Sequence, residues 1–288
     1  MKNLIKKIIF LATCNRIAYR LGRAIYMHSR GDIHNDINRN GELLVQQSVI
    51  AAFENLPQID CFTIFDVGAN VGDWTNAFLS GLKGKDSEKR VEIYSFEPVP
   101  STATTLKKNL PSDNPSIHIE NFAISKQREI MDIYVAGING GTNSLYDDGL
   151  PTTKEIVKIQ SISVTEFCSD RKIHHIHLLK CDTEGHDMEV IRGAMHLLHE
   201  QRISVFQFEY NHRWAFSHNF LRDVFMSIEH LPYTVAKLQE KCLLIYSKWH
   251  PELDKFFEGN YVIIHNDCLS WFPTKRVNFD GSNAQYIS

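Results

Sequence analysis

The run Asp66-Val67-Gly68-Ala69-Asn70-Val71-Gly72 has residue types and spacing suited to ligand binding. Gly68 and Gly72 let the backbone turn sharply and approach a ligand closely. The N–H groups of a helix opening after them then face that ligand. A dinucleotide pyrophosphate asks for three glycines in the spacing G-x-G-x-x-G. Here the spacing is G-x-N-x-G, so a nicotinamide dinucleotide is disfavoured. Asp66, just before the turn, repels a phosphate and suits a cationic ligand, directly or through water. Asp66, Gly68, Ala69, Asn70 and Gly72 are therefore candidate binding residues. Taken alone, the turn is equally compatible with a tight strand-to-helix connection that holds no ligand.

Four further stretches follow. Glu97, in Tyr94-Ser95-Phe96-Glu97-Pro98, ends a second strand, where a carboxylate can accept hydrogen bonds from two ribose hydroxyls. Asn121 and Ala123 stand where a third strand ends and could meet a purine edge through a side chain or the backbone; an ordinary strand end fits equally well. In Lys180-Cys181-Asp182-Thr183-Glu184-Gly185-His186-Asp187 an ionisable group recurs at every second residue. Strand alternation would set Lys180, Asp182, Glu184 and His186 on one face, as candidates for proton removal or a divalent metal. Glu184 could instead anchor the loop or cap the next helix. Glu209-Tyr210-Asn211-His212-Arg213-Trp214 could complete an acceptor pocket, its Arg and aromatic rings suiting a sugar or a carboxylate; the alternative is a surface loop with a packed Trp. His174, His175 and His177 cluster at the start of a strand, away from the other groups, without the Cys or carboxylate pairing of a metal site.

Positioning these groups requires strands that end on one edge. Phe62–Phe65, Val91–Phe96, Ile117–Phe122, Ile176–Cys181 and Ile203–Phe208 read as strands. Helical segments lie between them at Gly72–Leu82, at Ser101–Asn109 with a Ser cap, and at Met188–His199. Met131–Val135 and Val157–Ser163, around the polar turn Gly137–Pro151, look like an antiparallel insertion. Thr234–Leu238, Cys242–Tyr246 and Tyr261–Ile264 are candidate closing strands. This alternation predicts an α/β fold with an open, mostly parallel sheet and flanking helices. Ligands then bind beyond the carboxyl ends of the strands, where Asp66, Glu97, Asp182 and Glu209 would meet.

The 288 residues suffice for one large core with a small appendage. They divide into a basic helical extension and linker (1–41), a main domain (42–265) and a tail (266–288) without clear periodicity. Net charge −3 predicts no nucleic-acid partner. Six cysteines without paired spacing read as buried thiols in a reducing cytoplasm. The first 31 residues hold Lys2, Lys6, Lys7, Arg16, Arg20, Arg23 and Arg30 and no Asp or Glu. Residues 3–28 read as a helix, with a break near Thr13–Asn15 as the alternative. It either caps the core with a solvated basic face or makes a peripheral contact, through residues 1–30, with the inner face of a membrane.

Taken together, Phe65–Asp73, Ser95–Pro98, Asn121–Ser125, Ser163–Phe167 and Leu179–Ala194 resemble the FkbM family of S-adenosylmethionine-dependent methyltransferases. The family carries Asn inside the Gly turn. The resemblance implies a Rossmann-like class I methyltransferase fold and S-adenosylmethionine as cofactor. It also implies O-methylation of a hydroxyl, often on a sugar of a glycan, glycolipid or natural product. It puts Asp66, Gly68, Asn70, Gly72 and Glu97 at the cofactor and Asp182 and Glu184 nearest the transferred methyl. Asp182 is the first expectation for the base, with Glu184 or His186 behind it and a divalent metal as the second mechanism. A silent binding module on a membrane assembly and an NAD-linked oxidoreductase are the alternatives.

Overall fold

The computed structural model describes residues 15–32, 36–37, 39–56, 59, 61–83, 90–112, 114, 116–135, 143–146 and 155–287. Of the helix expected over 3–28, the part before residue 15 lies outside them, as does most of the turn Gly137–Pro151. Two helices, α1 (Asn15–Ser29) and α2 (Glu42–Glu54), precede strand β1 (Cys61–Val67). Then come α3 (Asp73–Leu82), β2 (Arg90–Phe96), α4 (Pro100–Asn109) and β3 (Ile117–Glu120). A side sheet follows: β4 (Ala123–Ser125), β5 (Glu129–Val135) and β6 (Glu155–Ser163). The chain returns through α5 (Val164–Arg171), β7 (Ile176–Cys181), α6 (Asp187–His199), β8 (Ile203–Tyr210) and α7 (Leu221–Ile228). It closes with β9 (Tyr233–Leu238), β10 (Leu243–Tyr246), β11 (Gly259–His265), β12 (Thr274–Phe279) and β13 (Gln285–Ile287).

The ten-stranded sheet has the order β13-β12-β10-β9-β11-β8-β7-β1-β2-β3. From β3 to β8 all neighbours are parallel. β11 lies antiparallel between β8 and β9. The Rossmann-like methyltransferase fold expected from the sequence is therefore present. The chain winds outward from β1 to β3 and then returns to β7 on the other side of β1. That reversal opens a crevice at the carboxyl ends of β1 and β7, the usual ligand position in such sheets.

Strand alternation divides the core. Phe62 and Ile64 face one side with Leu178 and Val205, under Val49 and Phe53 of α2 and Trp74 and Phe78 of α3. Phe65 and Val67 face the other side with Leu179 and Phe206, under Phe167, Ile191 and Val224 from α5, α6 and α7. The antiparallel insertion is the β5–β6 pair, and β4 adds to it in parallel. The strand expected over Ile117–Phe122 stops at Glu120, because Ala123–Ser125 leaves the main sheet to pair with Ser161–Ser163. The helix expected to open on a Ser cap opens instead on Pro100, with Val99 at the cap; proline lacks only an N–H that has no partner in the first turn. α5 does have a Ser cap. Ser163 Oγ accepts from the Glu166 N–H at 3.1 Å and Glu166 Oε2 accepts from the Ser163 N–H at 3.0 Å, a reciprocal capping box. Beyond Asn266, where no period was legible, β12 and β13 extend the sheet edge. Among the described residues no helix is long and apolar enough to cross a membrane.

Candidate functional site

The Gly turn is pressed against the end of β7. Gly68 and Ala69 donate to the Phe96 carbonyl at 3.1 and 2.9 Å, and Asp182 N–H donates to the Val67 carbonyl at 3.0 Å. Gly68 has φ +76°, and a Cβ there would lie 2.0 Å from the Asp182 carbonyl oxygen. Asn70 is also left-handed, at φ 48°, a conformation asparagine tolerates better than most residues.

Glu97 fixes the next corner. Its Oε2 accepts from the Asn70 N–H at 3.0 Å and its Oε1 from the Val99 N–H at 2.9 Å. Burial outweighs these hydrogen bonds and pushes its pKa up to about 7. Each oxygen retains a lone pair for a further donor.

A cavity, partly open to solvent, lies between these corners. Gly68, Asn70, Glu97, Ala123, Asp182, Glu184 and His186 all line it. Phe122, Ile124, Ile133, Leu145 and Ile159 supply an apolar wall, much of it from the side sheet. Asn70 Oδ1 is buried without a hydrogen-bond partner.

Four expected binding residues do not line this cavity. Asp66 is fully buried beneath the turn, where it accepts from Thr75 Oγ1 at 2.6 Å and lies 3.4 Å from Lys180 Nζ. Its charge acts through Lys180, which also donates to the Gly68 carbonyl at 3.3 Å and faces Asp182 at 3.6 Å. Ala69 packs with Leu106 and Leu110. Gly72 caps α3, at φ 95°. The Asn121 amide donates to the Glu97 and Pro98 carbonyls at 2.8 and 3.1 Å, so it braces the Glu97 corner from outside.

The expected alternation from Lys180 to His186 ends with β7 at Cys181. Glu184 and Gly185 take positive φ of 53° and 98°, which turns the chain into α6. Glu184 pairs with Arg213. Burial and the neighbouring Asp182 carboxylate push the Glu184 pKa up to about 8. His186 is buried, its Nδ1 2.9 Å from Tyr146 Oη and its Nε2 3.0 Å from Ser125 Oγ. Burial lowers its pKa to about 3, so it is neutral and its ring is held in place. This geometry makes His186 a tether between the side sheet and the cavity.

β8 contributes Glu209. One carboxylate oxygen from each of Asp182, Glu184 and Glu209 lies within 4.8 Å of the others. Burial, then Asp182 and Glu184, push the Glu209 carboxyl well above its ordinary range. Asp187, fully buried behind them, accepts from Thr183 Oγ1 at 3.1 Å, and burial pushes its pKa to about 7. The two aromatics expected at an acceptor pocket are instead core residues. Trp214 is fully buried, donating to the Glu209 carbonyl at 2.8 Å, and Tyr210 donates to Asp254 at 2.8 Å.

Glu42 belongs to no motif of the sequence. Gly41 starts α2 just before it, and the Gln207 amide donates to its carboxylate at 3.2 Å. Burial pushes its pKa to about 7 despite Lys180 nearby. No local pattern marks a carboxylate delivered from another part of the chain. The histidine cluster lies at the opposite end of β7: His177 Nδ1 accepts from the Thr63 N–H at 3.1 Å and His175 meets Ser204 Oγ at 2.8 Å.

The raised Glu97 pKa gives a prediction with a definite sign. Protonation favours the ligand-free fold below the ordinary carboxylate range, and that contribution is lost as pH rises through about 7. Ribose hydroxyls donate best to the ionised form. S-adenosylhomocysteine should therefore bind about tenfold more tightly near pH 8 than near pH 6, and Glu97→Gln should flatten the profile. A flat calorimetric titration series for the unmutated protein would remove Glu97 from the binding site.

The family model of the Methyltransferase FkbM domain matches residues 66–235. Hexuronic acid methyltransferase AglP of Haloferax volcanii is 25% identical over 136 residues, which are 47% of this chain and 51% of that protein. The chain thus spans about half the length of that curated relative. Among solved structures, a SAM-dependent methyltransferase from Agrobacterium tumefaciens aligns over 78% of this chain and 62% of its own, with TM-score 0.42 and 6% identity. A precorrin-6y C5,15-methyltransferase from Geobacter metallireducens aligns over 77% and 86%, with TM-score 0.37 and 13% identity. The domain match runs from the Gly turn through Glu97 and Asp182 to β9, and the chain belongs to the FkbM methyltransferase family.

Proposed function

We propose that this protein transfers a methyl group from S-adenosylmethionine to a hydroxyl oxygen of a sugar, in a glycan, glycolipid or natural product. One observation carries the proposal: Asp182 and Glu184 line the cavity and also belong to the carboxylate cluster with Glu209. On this reading the cofactor sits beside Asp182, a carboxylate able to accept a hydroxyl proton. The hexuronic acid named for the AglP relative supports a sugar acceptor. The family speaks against the NAD-linked alternative, as does the Asn70 turn.

The residues present fit the cofactor. Glu97 would hold the ribose, the apolar wall around Phe122, Ala123 and Ile133 would take the adenine, and Asn70 Oδ1 is a buried acceptor still lacking a donor. Bound there, the cofactor supplies an electrophilic methyl on a positively charged sulfur. Asp182 would accept the acceptor hydroxyl's proton as the oxygen–carbon bond forms and the carbon–sulfur bond breaks. S-adenosylhomocysteine and the methyl ether are the products. Glu184, held by Arg213, and Glu209, held by the Asn211 amide at 2.7 Å, would orient neighbouring hydroxyls. Positioning of this kind supplies much of the rate in a displacement that needs no covalent intermediate.

The test is incubation with methyl-labelled cofactor and a panel of oligosaccharides and glycolipids, followed by hydrolysis and mass spectrometry. An O-methyl sugar is the expected product; label on nitrogen or carbon overturns the reading. The 4.8 Å spacing of the three carboxylate oxygens favours one second mechanism, in which Asp182 and Glu209 would hold a divalent cation that would polarise a sugar hydroxyl. With Asp182 as base, excess EDTA should leave turnover unchanged. Loss of turnover, restored by magnesium or manganese, would select the metal mechanism instead.

A further inference from the structure

Helix α1 takes no part in the site described above, and among the described residues its apolar stripe is left uncovered. Ile17, Leu21 and Ile25 recur every four residues and so share one face; they are 60%, 60% and 62% exposed. A helix of a water-soluble domain ordinarily turns such a stripe toward the core. Arg16, Arg20 and Arg23 line the flank of this stripe, and the helix contains no acidic residue. Before it come Lys2, Lys6 and Lys7, and the first acidic residue of the chain is Asp32.

Among the described residues, the second half of the helix and the segment just after it are fastened to the body. Tyr26 donates to Glu252, and the Arg23 guanidinium lies 5.6 Å from the Phe257 ring centre. Arg30 pairs with buried Asp32 at 2.8 Å, and Asp32 pairs with Lys237. Lys237 lies near the end of β9, beside Tyr261 of β11, and the neighbouring Asn260 is in register with Glu209. The root of α1 is thus fixed to the same carboxyl edge of the sheet that carries the candidate site.

We propose that α1 is a docking surface for an anionic lipid bilayer. Its apolar stripe would enter the boundary between headgroups and acyl chains, with the arginines at the lipid phosphates. Charge selects this occupant over a second copy of the chain, since pairing two such helices would bring their arginine rows together. Docked this way, the protein holds the edge bearing the candidate site near the headgroups. The docking itself does not depend on the reaction proposed for that site.

The test is flotation of the full chain with vesicles of phosphatidylcholine containing a third phosphatidylglycerol, beside vesicles of phosphatidylcholine alone. Binding to the anionic vesicles only is expected. Binding should fall by about tenfold or more in two variants. Ile17→Asp/Leu21→Asp/Ile25→Asp removes the stripe, and Arg16→Glu/Arg20→Glu removes charge while keeping the stripe. Both should keep the melting temperature and the S-adenosylhomocysteine affinity of the unmutated protein, because these side chains are exposed. The proposal is overturned if the unmutated protein stays with the unbound fraction, or if the arginine variant floats as well as it does. A dimer in sedimentation that the triple Asp variant dissolves would assign the stripe to a second copy and overturn it as well.

Discussion

Asp182→Asn should lower turnover by about 10²–10⁴-fold, the usual worth of a general base, while S-adenosylhomocysteine binds nearly as before. The neighbouring ionisable groups single out Asp182. At neutral pH Glu184, with a pKa near 8, is mostly protonated, and burial pushes Glu209 well above its ordinary range too. His186 has both nitrogens engaged by Tyr146 and Ser125. Asp182 has the more open side chain, 38% exposed, and faces Lys180 at 3.6 Å. Asparagine keeps the shape and removes the base. Lys180 would still face Asp66 at 3.4 Å, so the β7 end should hold. Single-turnover kinetics with labelled cofactor reads the chemical step separately from binding. Undiminished turnover in Asp182→Asn would move the role of base to another group.

Gly68→Ala should abolish measurable cofactor binding and lower the melting temperature by several degrees. Alanine at φ +76° costs about 1–2 kcal/mol through its Cβ, and about 1 kcal/mol corresponds to roughly 2–4 °C in a chain of this size class. The larger effect is local. The new Cβ would stand 2.0 Å from the Asp182 carbonyl, so either the turn or the Asp182 backbone must move. Both border the cavity. Gly22→Ala is the matching control: it sits within α1 with nothing within 4 Å, and should leave cofactor affinity unchanged. Calorimetry and thermal melting of the two variants separate the readings. Normal cofactor affinity in Gly68→Ala would show that the turn does not hold the ligand.

Much of the parallel half of the sheet was legible because each buried strand is a short apolar run that ends in a polar or Gly residue. Phe62–Phe65 before Asp66 and Ile176–Cys181 before Asp182 are the clearest cases. The edge strands β12 and β13 were not legible: Thr274–Phe279 has three exposed residues and one fully buried, so no alternation marks it. The site divides the same way. Gly68, Asn70, Glu97, Ala123, Asp182 and Glu184 could be named from their places at strand ends. Glu42 could not, because only the packing of α2 against the sheet brings it to Lys180.

By itself the sequence determined the α/β winding, the Gly-Asn turn and the acidic strand ends, because all three are local: a few residues set the period, the turn and the strand terminus. Tertiary structure alone decided which carboxylates face the cavity. It put Asp66 beneath the turn with Thr75 and Lys180, and braced Glu97 from outside with Asn121. It locked His186 between Tyr146 and Ser125 and gathered Asp182, Glu184 and Glu209 within 4.8 Å. The physical reason is that burial and charge proximity come from segments far apart in the chain. Those two terms set which acid is protonated and which is free to accept a proton.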